Sequence, residues 1–101
     1  MHKRATIEFE WDELKNISNQ DKHGVSFEEA MQIWNDNNLI IVPGKHRGEK
    51  REVAIGKAYI AIFSVVHTRR GDKIRIISAR LASKKERKQY GRCARRIAGR
   101  F

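Results

Sequence analysis

The chain has 101 residues, enough for one domain with a single hydrophobic core and too few for a second. Its one cysteine, Cys93, excludes an internal disulfide framework, and its four dispersed histidines lack the spacing of zinc ligands. No apolar run approaches the roughly 20 residues that span a bilayer. The basic N-terminal residues are not followed by an apolar run, so the sequence does not predict a signal peptide. We therefore expect a small cytoplasmic protein, residues 1–101 forming one domain, without metal or cofactor.

The net charge of +10 is concentrated in the second half of the chain. Residues 1–50 carry 7 basic and 9 acidic side chains, whereas residues 51–101 carry 15 basic and 3 acidic ones. A cationic half of a compact domain attracts polyanions, of which nucleic acid is the commonest. The same composition also fits a strongly solvated surface, or a patch that meets an acidic protein, so charge alone leaves these alternatives open.

The N-terminal third predicts a strand followed by two helices. Thr6 to Trp11 alternates apolar and polar residues, as half-buried strands do. Asp12 can cap a helix that runs to about Lys22, and Gly24 ends it.

The second predicted helix begins with a capping box, in which Ser26 and Glu29 satisfy each other's backbone N–H groups. It carries an apolar stripe at helical spacing, which must pack on the sheet. We expect the stripe of Phe27, Met31 and Trp34 to lie under Ile60, Ile62 and Val66, or under their alternate-face neighbours.

The next segment predicts an antiparallel meander of four strands. We expect these strands at residues 39–42, 51–55, 59–67 and 73–79, with turns at 56–57 and 69–72. A second capping box, formed by Ser83 and Glu86, begins a basic helix that passes through Tyr90 to about Ile97. The predicted fold class is a compact α+β domain with an antiparallel sheet of about four strands, two N-terminal helices and one C-terminal helix.

Lys22 and His23 form the first candidate site, between the two N-terminal helices. Cations are favoured at a helix C-terminus, and Gly24 can take a positive φ there, so a simple helix cap explains these residues. The functional alternative is that His23, whose charge changes near neutral pH, lines a substrate groove.

Arg75 and Arg80 form the second candidate site, on the last strand. Strict alternation predicts Ile74, Ile76, Ser78 and Arg80 on one face, and Arg75, Ile77 and Ala79 on the other. An arginine amid apolar residues needs compensation, so Arg75 either opens onto a groove or pairs with Glu10 or Glu86. Arg80 can hold a phosphate with a bidentate fork, or it is an ordinary surface arginine.

Several segments, taken together and in order, resemble the pattern of the BrnT toxin family. These segments are Phe9-Glu10-Trp11-Asp12, Asn19, Lys22 to Phe27, His67-Thr68, Gly71, Arg75 to Arg80, Glu86-Arg87 and Tyr90. The resemblance covers about residues 7 to 90 and leaves the basic extension 91–101 unmatched. It implies a RelE-like fold, a ribonuclease activity that arrests translation, and a cognate antitoxin of the ribbon-helix-helix type. The complex with that antitoxin would bind operator DNA.

Metal-free RNA cleavage needs a base, a cation at the phosphate and an acid. Arg75 and Arg80 are the predicted cations. The candidate proton carriers are His23 and His67, with Lys22 and Tyr90 in support, a set that we predict to be catalytic. His67 could equally be a solvated residue at a strand end, and a tyrosine on a helix that faces a sheet is more often core than catalyst.

The alternative function is a nucleic-acid-binding module without catalysis. It would use the same basic surface, with an exposed aromatic ring for stacking on bases. The candidate rings are Trp11, Trp34 and Tyr59. Trp34 lies within an apolar helical stripe, which predicts a core position instead.

Overall fold

The computed structural model describes residues 7–45 and 48–98, with side chains as far as Cys93. The elements are β1 (Glu8–Glu10), α1 (Glu13–His23), α2 (Phe27–Ala30), the 3₁₀ helix η1 (Met31–Asn35), β2 (Ile40–Pro43), β3 (Glu52–Ala58), β4 (Ala61–Arg70), β5 (Lys73–Leu81) and α3 (Lys84–Ala98). The predicted α+β class is confirmed. None of the described helices is long and apolar enough to cross a bilayer.

The sheet has five strands in the order β1-β5-β4-β3-β2. Strands β2 to β5 form the predicted antiparallel meander. The prediction of an antiparallel sheet of about four strands was wrong in detail, because β1 adds a parallel strand beside β5. Since β1 pairs with only Lys73–Arg75, the rest of β5 extends beyond its neighbour.

The second predicted helix is shorter than expected, because its final turns tighten into η1. The capping box of Ser26 and Glu29 is present and begins α2. Gly56 allows η1 to approach β3 closely: a Cβ there would lie 3.0 Å from the Cβ of Ile33. The predicted turn at 56–57 was therefore wrong, and β3 continues until the turn residues Tyr59 and Ile60.

The main core lies between the sheet and the helical layer, to which α2 and η1 contribute the apolar side chains, whereas α1 buries only Asn16 and Asn19. Phe27 is fully buried, and the partly buried Trp34 meets Phe9 edge-to-face at 5.2 Å between ring centres. The stripe packs on the alternate face of β4, against Phe63 and Val65. The expected partner Ile60 is instead 98% exposed, because it is a turn residue, and Ile62 faces the second cluster, on the other side of the sheet.

A smaller cluster on the opposite face holds α3 against β2, β3 and β4. Ile55, Ala82 and Tyr90 are buried there, and the partly buried residues around them are Ile40, Val42, Val53 and Ile62. Among the described residues α3 contacts β3 most, and Glu86 in its first turn also reaches Ser64 of β4 and Arg80 of β5.

Asn19 ties α1 to the uncovered edge of β5. Its side-chain amide donates to the carbonyl of Ala79 (2.7 Å) and accepts from the N–H of Ala79 (3.1 Å), as a neighbouring strand would. The amide also donates to the carbonyl of Val25 at 2.8 Å. This buried side chain therefore satisfies backbone groups that β1 is too short to reach.

Candidate nucleic-acid interface

A β-bulge in β5 determines which side chains share a face. Val66 pairs with Ser78 and His67 pairs with Ile76, so Ile77 is an extra residue in β5. The predicted alternation was therefore wrong beyond Ile76, because a bulge shifts all later side chains to the other face.

The bulge brings Arg75, Ser78 and Arg80 onto one face of the sheet, opposite the helical layer. Ser64, Val66 and Thr68 of β4 lie on that face through their pairing with β5, where Ser64 and Thr68 are buried. We call this surface, formed by Arg75, Ser78, Arg80, Ser64 and Thr68, the arginine face. The hydrophobic residues Ile74, Ile76 and Ala79 of β5 are buried on the other side.

Arg80 is held by Glu86 at the beginning of α3. Its two Nη atoms donate to the two carboxylate oxygens at 2.6 and 3.2 Å, and Nη1 also donates to the carbonyl of Leu81. Glu86 further accepts from Ser64 Oγ (2.9 Å) and from the N–H of Ser83 (2.8 Å). The capping box predicted at Ser83 and Glu86 thus also fixes an arginine.

The pKa of Glu86 reflects this set of donors. Burial alone would raise it, but the hydrogen bonds from Arg80, Ser83 and Ser64 and the charge of Arg80 lower the pKa to about 2. Glu86 is therefore ionised across the physiological range and keeps Arg80 oriented.

Arg75 pairs with Glu10 at 3.8 Å, one of the two partners that the sequence left open. Its side chain is 29% exposed, and the parallel register of β1 and β5 places the two residues side by side. Arg75 is thus both paired and accessible on the arginine face.

Lys22 and His23 are exposed at the end of α1. Gly24 adopts a φ of 68° and donates its N–H to the carbonyl of Gln20, as a helix cap does. Both residues lie one helical turn beyond Asn19, whose side chain contacts the backbone of Ala79 next to Arg80. The structure therefore supports the cap and also places the end of α1 by the β5 edge.

His67 is fully buried on the helical side of the sheet, away from the arginine face. Its ring meets Trp34 edge-to-face, Nδ1 lies 3.2 Å from the carbonyl of Val65, and Nε2 lies 3.5 Å from Glu52. Burial lowers the pKa of His67, and the contacts with Val65 and Glu52 offset this only in part. The histidines, the cysteine and the carboxylates of the described segments form no group of three that could hold a metal ion.

Tyr90 is buried in the cluster under α3, where its hydroxyl donates to Asp36 at 2.5 Å. Burial and this hydrogen bond raise the pKa of Tyr90 to about 12. The hydroxyl therefore stays protonated, and the contact ties α3 to the loop that follows η1.

The sequence reasoning overlooked Arg51, which lies next to the first residue of β3. The residue is partly buried, and its Nε atom is inaccessible and has no hydrogen-bond partner among the described atoms. The alternation of β3 was the available signal, because it places residue 51 on the face of Val53.

A sheet face lined by arginines, in a small basic α+β domain, defines a class of protein suited to binding a polyanion. A family model described as the ribonuclease toxin BrnT of a type II toxin-antitoxin system matches residues 11–86. The chain belongs to this family, which confirms the resemblance seen in the sequence. It is accordingly a toxin of a type II toxin-antitoxin system, from a family of ribonucleases whose members have an antitoxin partner. No curated protein matches the chain.

Proposed function

We propose that the chain is an endoribonuclease that cleaves single-stranded RNA on the arginine face without a divalent metal, and thereby arrests translation in the cytoplasm. The observation that carries this proposal is the bulge, which places Arg75 and Arg80 on the same face of the sheet. The family description supplies the reaction class.

Arg80 retains donors for a substrate despite its pairing. A guanidinium has five N–H groups, and the bonds to Glu86 and Leu81 use three of them. Two N–H groups remain for the oxygens of a phosphate. In the proposed reaction the RNA 2′-oxygen attacks the phosphorus and the bond to the 5′-oxygen breaks, while Arg80 and Arg75 stabilise the added negative charge.

His23 is the proposed proton carrier, with Lys22 beside it. Both side chains are exposed, and Asn19 ties their helix to the uncovered edge of β5, around which they would reach the arginine face. The base takes the 2′-hydroxyl proton, and an acid gives a proton to the leaving 5′-oxygen. His67 and Tyr90 are buried in internal contacts, so we assign them to the stability of the fold instead.

We also propose that the antitoxin is of the ribbon-helix-helix type, covers part of the cationic surface, and carries the complex to operator DNA. The uneven charge supports this, since residues 51–101 hold 15 of the 22 basic side chains. We expect a neighbouring reading frame to encode a short ribbon-helix-helix protein. We also expect that protein to co-purify with the chain. An isolated gene without a co-purifying protein would contradict it.

A nucleic-acid-binding module without catalysis is the second candidate. It is favoured by Tyr59, a residue that is 70% exposed and could stack its ring on a base. Trp34 is packed against the core, so it does not offer a second such ring.

Incubating the purified chain with messenger RNA in EDTA, with and without ribosomes, tests the proposal. We expect cleavage in at least one of the two mixtures. Folded protein that binds the RNA and cleaves it in neither mixture would favour the binding module.

A further inference from the structure

Arg51 lies beside the arginine face, and the proposed reaction does not use it. Its carbonyl accepts a hydrogen bond from the N–H of Gly44 (3.0 Å), so the pairing of β2 with β3 continues past the first residue of β3. The next residue, Glu52, approaches His67 on the helical side of the sheet. Since side chains alternate along a strand, Arg51 lies on the opposite side, that of the arginine face.

Arg51 continues a row of side chains across the sheet. The β3–β4 register, extended by one residue, places it opposite Thr68, and Thr68 pairs with Arg75. The hydroxyl of Thr68 donates to the carbonyl of Lys50 (2.7 Å), which fixes this end of β3 against β4. With strands about 4.8 Å apart, the backbones of Arg51 and Arg75 are roughly 10 Å apart.

The guanidinium of Arg51 has no acceptor among the residues that the structure describes. All 12 carboxylate side chains of the protein lie in the described segments, and none of them forms an ion pair with Arg51. Carboxylates do pair with the other described arginines of the strands, which are Arg69, Arg70, Arg75 and Arg80.

The Nε atom of Arg51 is buried without an acceptor, and its Nη atoms form no hydrogen bond with a described atom. A charged donor without a partner is unfavourable in the free protein. This arrangement favours an anion that approaches the Nη atoms from outside.

We propose that Arg51 binds the phosphate of a nucleotide next to the one that Arg75 and Arg80 hold. This inference rests on the proposed function and extends its binding surface by one phosphate of single-stranded RNA. The guanidinium fork matches two phosphate oxygens, whereas a lysine at this position would supply only a point charge.

Equilibrium binding of 2′-O-methyl RNA oligonucleotides of two and eight nucleotides tests the proposal, because methylation removes the attacking group and leaves the phosphates. We expect Arg51→Ala to weaken binding of the octanucleotide by about tenfold and to lower its salt slope by about 0.7, with little change for the dinucleotide. Arg51→Lys should restore only part of the affinity. Arg69→Ala is the matched control, since Arg69 pairs with Glu52 on the other side of the sheet.

Arg51→Met keeps the apolar part of the side chain and replaces the alanine variant if that variant unfolds. If the Arg51 variants bind the octanucleotide as tightly as Arg69→Ala does, the inference is overturned, even if the protein cleaves RNA. If the Arg51 variants lose octanucleotide binding and the wild-type protein cleaves no RNA, the inference is supported and the proposed nuclease activity is refuted. A wild-type protein that binds neither oligonucleotide would overturn both.

Discussion

Replacing Glu86 with glutamine removes one charge and preserves the shape of the side chain. The pKa of Glu86 falls from 4.5 to about 2 in the folded protein, where Arg80, Ser83 and Ser64 donate to it. A pKa unit corresponds to about 1.4 kcal/mol, so the ionised carboxylate contributes about 3 kcal/mol at neutral pH. Because the amide keeps some of the hydrogen bonds, we expect Glu86→Gln to lower the free energy of unfolding by about 2–3 kcal/mol.

The effect of Glu86→Gln should depend on pH in a defined direction. The folded pKa is below the unfolded one, so the stabilisation is complete well above pH 4.5 and is lost as the pH falls toward about 2. Urea unfolding followed by tryptophan fluorescence, from pH 7 to pH 3, should show the difference between wild type and variant shrinking by about half.

Glu8→Gln is the matched control for this experiment. The Glu8 side chain is 66% exposed and forms a 3.8 Å ion pair with Lys73, so its loss should cost less than about 1 kcal/mol. Equal destabilisation by the two variants at pH 7 would refute the reasoning. So would a cost of Glu86→Gln that stays the same at pH 3.

Three further predictions concern stability and protonation. Asn19→Ala should lower the free energy of unfolding by about 2–4 kcal/mol in urea titrations, because two backbone groups of β5 lose their partner, whereas Gln20→Ala on the exposed side of α1 should cost less than about 1 kcal/mol. Tyr59→Asn should raise the free energy of unfolding by roughly 0.5–1 kcal/mol in calorimetry, because Tyr59 has a φ of 57° that asparagine tolerates better. Ile60→Asn, in the same turn, should give no such gain. Burial lowers the pKa of His67 from its ordinary 6.5, so the imidazole should be mostly neutral at pH 6.5, and mostly protonated imidazole at that pH in ¹H–¹⁵N NMR spectra would contradict its placement. Protonating His67 should also favour unfolding, so its contribution to stability is full above pH 6.5 and declines as the pH falls below it.

Much of the fold follows from local signals in the sequence. Asp12 and Gly24 bound α1, and two capping boxes begin α2 and α3, because side chains there satisfy free backbone groups. These signals act within a few residues, so they can be read without knowing the tertiary structure.

The partner of β1 could not be read in this way. Nothing within Glu8–Glu10 specifies pairing with β5, since the parallel contact joins residues more than sixty positions apart. Such pairings depend on how the intervening elements pack, which alternation alone does not encode.

The candidate site was predictable in composition and less so in geometry. Arg75 and Arg80 were identified, but the bulge at Ile77 was not, because apolar residues run through it without a turn signal. Arg51 was missed because it directly follows a charged loop, where an arginine needs no explanation. Its position in a row across the sheet, and the lack of a described partner for its Nε atom, follow only from the tertiary structure.

The most direct test of the central claim is the single-turnover cleavage rate of single-stranded RNA in EDTA. Arg75→Ala and Arg80→Ala should each lower this rate by roughly a hundredfold or more while the protein stays folded, because each arginine stabilises charge that develops in the reaction. Lys15→Ala, which removes one exposed charge from α1, should change the rate little. If the two arginine variants cleave RNA as fast as Lys15→Ala does, the arginine face is not the active site.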